Sequence, residues 1–538
     1  MKRIALSKTN FTEIIKNDFI YVDKTKYLYE IVNSNEPYYF LSRPRRFGKT
    51  LFLDTLKTFF EGKRELFKDL YVYDKDWEWE EYPVIRLDFN NILTENKEVL
   101  KDSIRKKLNE IAKIYGLEME TNKAYYQFSD LVKKLFHKYN KGVVILIDEY
   151  DKPIISNLGK DIDNLNDKKR LKIAKENQEF LKIFYDNLKP LESYLQLVFI
   201  TGVSKFSKVS IFSTLNNLIE LDMHPRFSTI LGYTEEELRN NFREHFKVFA
   251  NKLEISLKEL YDKFKMMYNG FRFSDEAEKV YNPYSIAKAL DYQKIDNYWF
   301  ESGTPTFLID LIKEQNFDVT RLDNLEVGRN KLKAYDITKL KLIPLLFQTG
   351  YLTIKEIEDN IIYTLGYPNY EVERGLTQNL LEEFTEDRVE TPIIHRIKKS
   401  LLTKNYDQFM EYMKSLFAGL ANINIPKSLQ DREHYYHSIF YLTGILFSDS
   451  NLGVYSELLT AEGRIDMLVE TDENVFIIEF KCNQSAEKAV EQIKEKNYAD
   501  KFKVEGKEIV LMGISFATED RNLGNYIIEE KNLNNGDD

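Results

Sequence analysis

The residues best suited to chemistry fall into two groups. In the first, an apolar run (YYFLS, residues 38–42) enters a short basic loop ending Gly48-Lys49-Thr50, and an apolar-periodic helix follows. Glycine there lets the backbone approach an anion closely, and N–H groups at the helix start point toward it. Lys49 has the reach for outer phosphates, and the Thr50 hydroxyl is a ligand for Mg2+. VVILIDEYDKP (residues 143–153) is an apolar strand ending in Asp148 and Glu149. Asp148 is placed to hold Mg2+ together with Thr50, and Glu149 to orient a water toward a γ-phosphate. LQLVFITGVSKF (residues 195–206) ends in Thr201-Gly202 and Ser204. A hydroxyl there can sit between the two earlier strand ends and sense the γ-phosphate; a plain strand-to-loop turn reads the same way. Asp88 closes the strand VIRLDF as a structural or water-binding acid.

The second group is GRIDMLVETDENVFIIEFK, residues 463–481. Asp466 lies in one strand and, after a turn at residues 471–474, Glu479 and Lys481 lie two apart in the next. A period of two puts Glu479 and Lys481 on one face and turns Phe480 to the other. Two acids converging across a hairpin can ligate Mg2+ through oxygen, with the neighbouring lysine orienting water and steadying charge on a phosphate. The spacing also arises by chance in a chain that is 30% charged. His434 and His437, three apart on a helix, have too few companions for a zinc site and read as structural or nucleic-acid-facing. Cys482 reads as a buried strand-end thiol, and as the single cysteine it excludes disulfides and cysteine-based zinc sites within the chain.

Around these groups, 538 residues are too many for one core, so several domains are expected. Up to about residue 220 apolar strands at 38–42, 84–88, 143–148 and 195–201 alternate with helices such as 101–115 and 167–188. That alternation argues for a parallel sheet covered on both faces. From residue 234 the period is helical, and runs at 350–354 and 361–365 form a hairpin, so a winged-helix-like element is expected. Strand signals return at 464–470 and 474–481. The expected divisions are 1–225, 226–375, a helical linker 376–425, and 426–538. Aromatics at 14% are chiefly core. The net charge of −10 fits poorly with phosphate binding over a broad surface. Residues 426–538 carry 22 Asp and Glu against 12 Lys and Arg, which equals the whole imbalance. With no apolar leader and no run long enough to span a membrane, a cytoplasmic protein without membrane contact is expected.

YVDKT (21–25), RPRRFGKT (43–50), LIDEYDKP (146–153), FITGVSKFS (199–207), MYNGFRF (267–273), YNPYS (281–285) and FESGTP (300–305), in this order, resemble the bacterial AAA-ATPase-like family. Its members are commonly fused to a C-terminal PD-(D/E)XK nuclease domain, which residues 430–510 resemble. The resemblance implies an α/β multidomain chain. It comprises a P-loop NTPase (AAA-like) parallel sheet, a helical and winged-helix-like middle, and a C-terminal restriction-endonuclease-like α/β domain. It makes RPRRFGKT, with Arg43 in a usual glycine position, an ATP-binding loop in which Arg45, Arg46 and Phe47 accompany Gly48, Lys49 and Thr50. It implies an arginine finger, for which Arg226 and Arg272 are candidates. In the second site it makes Asp466, Glu479 and Lys481 the signature residues. It adds Glu433 as a helix acid completing the metal set, and Gln492, with Tyr498 further on, from the helix behind the strands. The implied cofactors are ATP and Mg2+, and the implied partner is nucleic acid, with DNA preferred and a homo-oligomer allowed. A rival is an ATP-dependent signalling or defence switch whose C-terminal module binds nucleic acid without cutting. A second is an interaction scaffold with a vestigial phosphate loop.

Overall fold

The computed structural model describes residues 1–34, 36–121, 123–158, 165–205, 211–212, 214–302, 306–315, 317–332, 341–385, 391–418, 429–448, 452–460, 463–517, 519 and 522–531. They divide into two compact units: Met1–Leu311 with Leu325–Val372, and Ile312–Asn324 with Glu373–Asp538.

The first unit is built on β1 (Tyr38–Ser42), β2 (Val84–Asp88), β3 (Val143–Asp148), β4 (Leu195–Gly202) and β5 (Ile219–Glu220). They form one parallel sheet in the order β2-β3-β4-β1-β5. Every residue of β1 and β3 is buried, as a sheet covered on both faces requires, which is why these strands read as unbroken apolar runs. Parallel neighbours need long crossovers, and the helices Lys49–Phe60, Lys97–Ile114, Ala124–Tyr139 and Leu165–Asp186 lie in them. The register pairs Ser42 with Gly202 and Asp88 with Asp148, so the strands end in one row. Because β4 lies between β1 and β3, Thr201 stands between the phosphate-loop strand and the acidic strand.

The helices Glu235–Leu253, Leu257–Tyr268 and Pro283–Tyr292 share a core that includes Phe242, Phe246, Phe264 and Leu290. Beyond them β6 (Leu325–Gly328), β7 (Thr353–Glu358) and β8 (Ile362–Gly366) make an antiparallel sheet in the order β6-β8-β7. The helical middle and its hairpin take this form. The hairpin begins later than the apolar run suggests, because Asp359 and Asn360 both adopt left-handed φ (50° and 57°) and place a tight turn there.

The second unit carries β9 (Leu452–Leu459), β10 (Arg464–Thr471), β11 (Asn474–Cys482), β12 (Glu508–Ala517) and β13 (Asn522–Lys531), in the order β13-β12-β11-β10-β9. Only β11 and β12 run parallel, and the helix Ala486–Glu495 lies in the connection that allows it. One core joins Leu468, Ile477 and Leu511 to Ile493 of that helix. Phe480 packs elsewhere, against Phe440 and Phe516 with ring centroids 4.9 and 5.3 Å apart. Alternation along β11 therefore sends Glu479 and Ile477 one way and Phe480 the other. Among the described residues no helix is long and apolar enough to cross a membrane.

Candidate nucleotide and metal sites

In the phosphate loop, anchoring by large side chains replaces the freedom of a glycine-rich sequence. Arg43 is 2% exposed. Its guanidinium donates to the carbonyls of Ser42 (3.0 Å), Asp222 (2.9 Å) and Phe227 (3.3 Å) and lies 4.1 Å from the centroid of the Phe273 ring. Burial lowers its pKa to about 10, so it stays charged at neutral pH. Phe47 sits edge-on to Phe271 and Phe273, at 4.8 and 5.5 Å. Arg46 donates to the carbonyl of Tyr298 (3.1 Å) and stacks 3.7 Å over Tyr284, and the Arg45 carbonyl accepts from the Trp299 indole (3.3 Å). Gly48, at φ +97°, caps the helix Lys49–Phe60 with a backbone that a side chain would strain.

Lys49 is 4% exposed. Its ammonium donates to the carbonyls of Arg43 (3.0 Å) and Pro44 (3.2 Å) and lies 3.3 Å from Glu149 Oε1. A cavity of about 390 Å3 opens here. Gly48, Lys49, Thr50, Arg46 and Glu149 line it together with the apolar Ile20, Val22, Leu231 and Ala287. The size and the mixture suit a nucleoside triphosphate, with donors for phosphate and apolar surface for a base. Asp148 is fully buried, and its Oδ1 accepts from the Thr201 hydroxyl at 2.8 Å. Its Oδ2 has no hydrogen-bond partner and lies 3.9 Å from an Arg86 nitrogen that is on a guanidinium already paired with Asp54. Glu149 adopts φ +52°, a left-handed backbone that costs a non-glycine residue about 1–3 kcal/mol.

In the second unit Asp466 reaches across to β11, where its Oδ2 accepts from the Phe480 amide at 2.9 Å. Glu479 is 1% exposed. Its Oε1 takes Gln492 Nε2 and, at 3.4 Å, Lys481 Nζ, while its Oε2 has no partner. Burial first, and Asp466 second, push its pKa up to about 8. The Tyr498 hydroxyl donates to the Arg464 carbonyl at 2.9 Å and interacts with Gln492. Asp466, Glu479, Lys481 and Gln492 are thus one cluster. The Glu433 and His434 side chains lie outside the described residues. Among the described residues no three His, Cys, Asp or Glu side chains gather as a metal-binding group.

A family model described as a predicted AAA-ATPase matches residues 5–212, and one described as the PD-(D/E)XK nuclease superfamily matches residues 431–526. A relative from Azotobacter chroococcum mcd 1, the uncharacterized protein in the vnfD 5'region, is 33% identical over 539 residues, 98% of this chain and 99% of its own length. The chain belongs to this AAA-ATPase-like family with a C-terminal PD-(D/E)XK domain.

Neither arginine-finger candidate, both beyond the matched residues 5–212, lines the cavity. Arg226 lies 3.3 Å from Glu30, and Arg272 donates to the Asp275 carbonyl. Asp88 caps its own turn by accepting from Asn90 N at 2.8 Å. Sequence reasoning passed over Asp151, which is fully buried and accepts from Val203 N (3.1 Å), Ser204 N (2.7 Å) and Ser204 Oγ (2.7 Å). Burial, then the Glu149 charge, push its pKa up to about 6. A third acid in LIDEYD was the available signal. In the PD-(D/E)XK domain Glu457 went unnoticed. It pairs with Arg464, lies 3.9 Å from His437 Nδ1 and has φ +56°. Nothing in its sequence context marks it. His437 Nε2 donates to the Asp466 carbonyl at 3.0 Å, and Cys482 is buried. Cys482 is thus the buried strand-end thiol expected of it.

Proposed function

We propose that the AAA-ATPase-like domain binds and hydrolyses ATP with Mg2+, and that the C-terminal domain cuts a phosphodiester of nucleic acid, preferentially DNA. One observation carries this: each site buries a carboxylate oxygen without a hydrogen-bond partner, Asp148 Oδ2 in one and Glu479 Oε2 in the other. A buried carboxylate oxygen without a hydrogen bond is costly, the 3.9 Å approach of an Arg86 nitrogen to Asp148 Oδ2 offsets that only in part, and a divalent cation is a ligand that would offset the rest. Thr50 and Asp148 would hold it in the first site, and Asp466, Glu479 and the helix acid Glu433 in the second. When bound, the cation neutralises charge on phosphate oxygens and makes water more acidic.

In the first site the loop amides and Lys49 hold the triphosphate. Lys49 already has its charge satisfied by two loop carbonyls and Glu149, so an incoming phosphate replaces contacts that exist. That exchange leaves Glu149 to take a proton from water as the water oxygen bonds to the γ-phosphorus and ADP leaves. Thr201 holds Asp148 in orientation. In the second site Lys481 orients water and steadies charge on the scissile phosphate, and Gln492 fixes Glu479. Carriage of both sites on one chain motivates control of cutting by nucleotide.

The test is cleavage of labelled DNA and RNA with Mg2+ or Mn2+, with ATP, ADP or neither, alongside phosphate release. Asp466→Ala and Lys481→Ala should each lower cleavage at least about a hundredfold and spare ATP turnover, while Lys49→Ala should abolish turnover. No cutting by wild type across metals and substrates would favour the non-cutting switch. Equal cutting with ATP, ADP, neither and in Lys49→Ala would end the idea of nucleotide control.

A further inference from the structure

Asp151 sits where it would ordinarily cap the short helix Lys152–Ile155, yet its side chain makes no capping bond there. Instead the carboxylate reaches the turn after β4 and takes all three of its donors from Val203 and Ser204. Tyr150 reinforces the crossing. Its amide donates to the Thr201 carbonyl at 3.0 Å and its hydroxyl to the Ser204 carbonyl at 3.0 Å. The fit is close enough that a Cβ on Gly202 would come within 2.6 Å of the Tyr150 ring and 2.7 Å of Asp151 Oδ1. The clasp therefore ties the end of β4, with Thr201, to the turn after β3. Glu149 is the residue that precedes the clasp, held at φ +52° with its carboxylate 3.3 Å from Lys49.

A left-handed glutamate persists only where its surroundings over-determine it. Tyr150 and Asp151, which follow it directly, supply such surroundings through the Tyr150 amide, the Tyr150 hydroxyl and the Asp151 carboxylate, each bonded to the end of β4 or its turn. We propose that Asp151 is a positioning residue for ATP hydrolysis: by clamping Val203 and Ser204 it fixes the Glu149 backbone and keeps the Glu149 carboxylate, the Thr201 hydroxyl and Lys49 in register. The inference rests on the ATPase reading above. Asp151 is not among the residues that line the cavity. Its effect belongs to turnover and not to nucleotide affinity, which is supplied by the loop amides, Lys49 and the apolar lining.

The experiment is steady-state phosphate release by the full chain with Mg2+ and ATP, with binding of a fluorescent ATP analogue measured in parallel. Asp151→Ala should lower kcat by between about tenfold and the 10²–10⁴-fold that a general base contributes, with KM and analogue affinity changed less than about threefold. Asp151→Asn can keep an acceptor oxygen toward Val203 and Ser204 and should return kcat to within about threefold of wild type. If Asp151→Ala does not fold, Ser204→Ala decides. It removes one of the three donors and should lower kcat severalfold at unchanged affinity. Wild-type turnover in Asp151→Ala, equal losses of kcat and affinity, or Asp151→Asn as slow as Asp151→Ala would each overturn the assignment. If wild type itself releases no phosphate, the ATPase reading fails first and this one with it.

Discussion

Glu371 is a carboxyl group cut off from water. It is fully buried, at the start of the helix Tyr370–Thr385, and accepts from Tyr298 N (2.7 Å), Trp299 N (2.9 Å) and Ser285 Oγ (2.8 Å). Those backbone groups carry the carbonyl that holds Arg46 and the indole that holds the Arg45 carbonyl, so Glu371 supports the phosphate loop at second hand. Burial raises its pKa from 4.5 to about 7, against the opposing pull of its three donors and of Arg46. The sign follows from the raised value. The native state keeps a proton that the unfolded chain has already given up, so this contribution to stability is complete below about pH 4.5 and is lost as pH rises through about 7. Glu371→Gln keeps an acceptor oxygen and can donate to Ser285 Oγ, and it has no proton to lose. Urea unfolding should find it more stable than wild type at pH 8, by on the order of 2–3 kcal/mol, with the gap closing toward pH 5. A gap that ignores pH would mean that Glu371 is not the titrating group. No pattern in the sequence distinguishes this glutamate from its neighbours in YEVE, because its chemistry comes from residues 72 to 86 positions away.

At the scale of elements, the first sheet was legible and the second only half so, and burial accounts for the difference except at β12, which is buried along nearly its whole length and was missed all the same. β1, β2 and β3 are covered on both faces or nearly so, and their apolar runs end where the strands end. The β10–β11 hairpin was readable for the same reason, since all of β11 except Lys481 is buried. β5 is two residues long and β6 four, too short for any period to show. β13, written NLGNYIIEEK, and β9 mix polar and apolar residues at the two edges of their sheet, where one side of the ladder faces no partner strand. The phosphate loop is the instructive middle case. Its GKT could be read from spacing. Its rigidity could not, because the anchors Phe271, Phe273, Tyr284 and Tyr298 come from residues 271–298. If those anchors shape the loop, Phe47→Ala should cost about 3–5 kcal/mol of stability and weaken ATP binding at least about tenfold, whereas Phe47→Leu should lose far less. Calorimetric titration with ATP checks both. Unchanged affinity in Phe47→Ala would show that the loop holds its shape unaided.

For the whole molecule the question is whether one ligand speaks to one unit. The chain divides into two compact units, with the phosphate-loop cavity and every phosphate-loop anchor in the first and the Asp466–Glu479 cluster in the second. A ligand that binds only the native state stabilises what it binds by RT ln(1 + [L]/Kd), about 2.7 kcal/mol at a hundredfold excess over Kd. Scanning calorimetry of the full chain should therefore separate two transitions, of which Mg2+ and ATP raise one and EDTA-reversible divalent cation without nucleotide raises the other. Lys49→Ala should cancel the ATP shift and leave the cation shift, because the ammonium that meets the phosphates is gone while Glu479 is untouched. Asp466→Ala should do the reverse, with an added effect of its own. It removes the Coulombic partner that helps raise the Glu479 pKa, so the second transition without metal should become less sensitive to pH between about 4.5 and 8. A single transition that ATP moves as a whole, in wild type and in Asp466→Ala alike, would mean the units unfold together, and nucleotide binding would then be felt at the cluster directly. Two transitions with an ATP shift confined to the first would make any nucleotide control of cutting a matter of rates and not of stability.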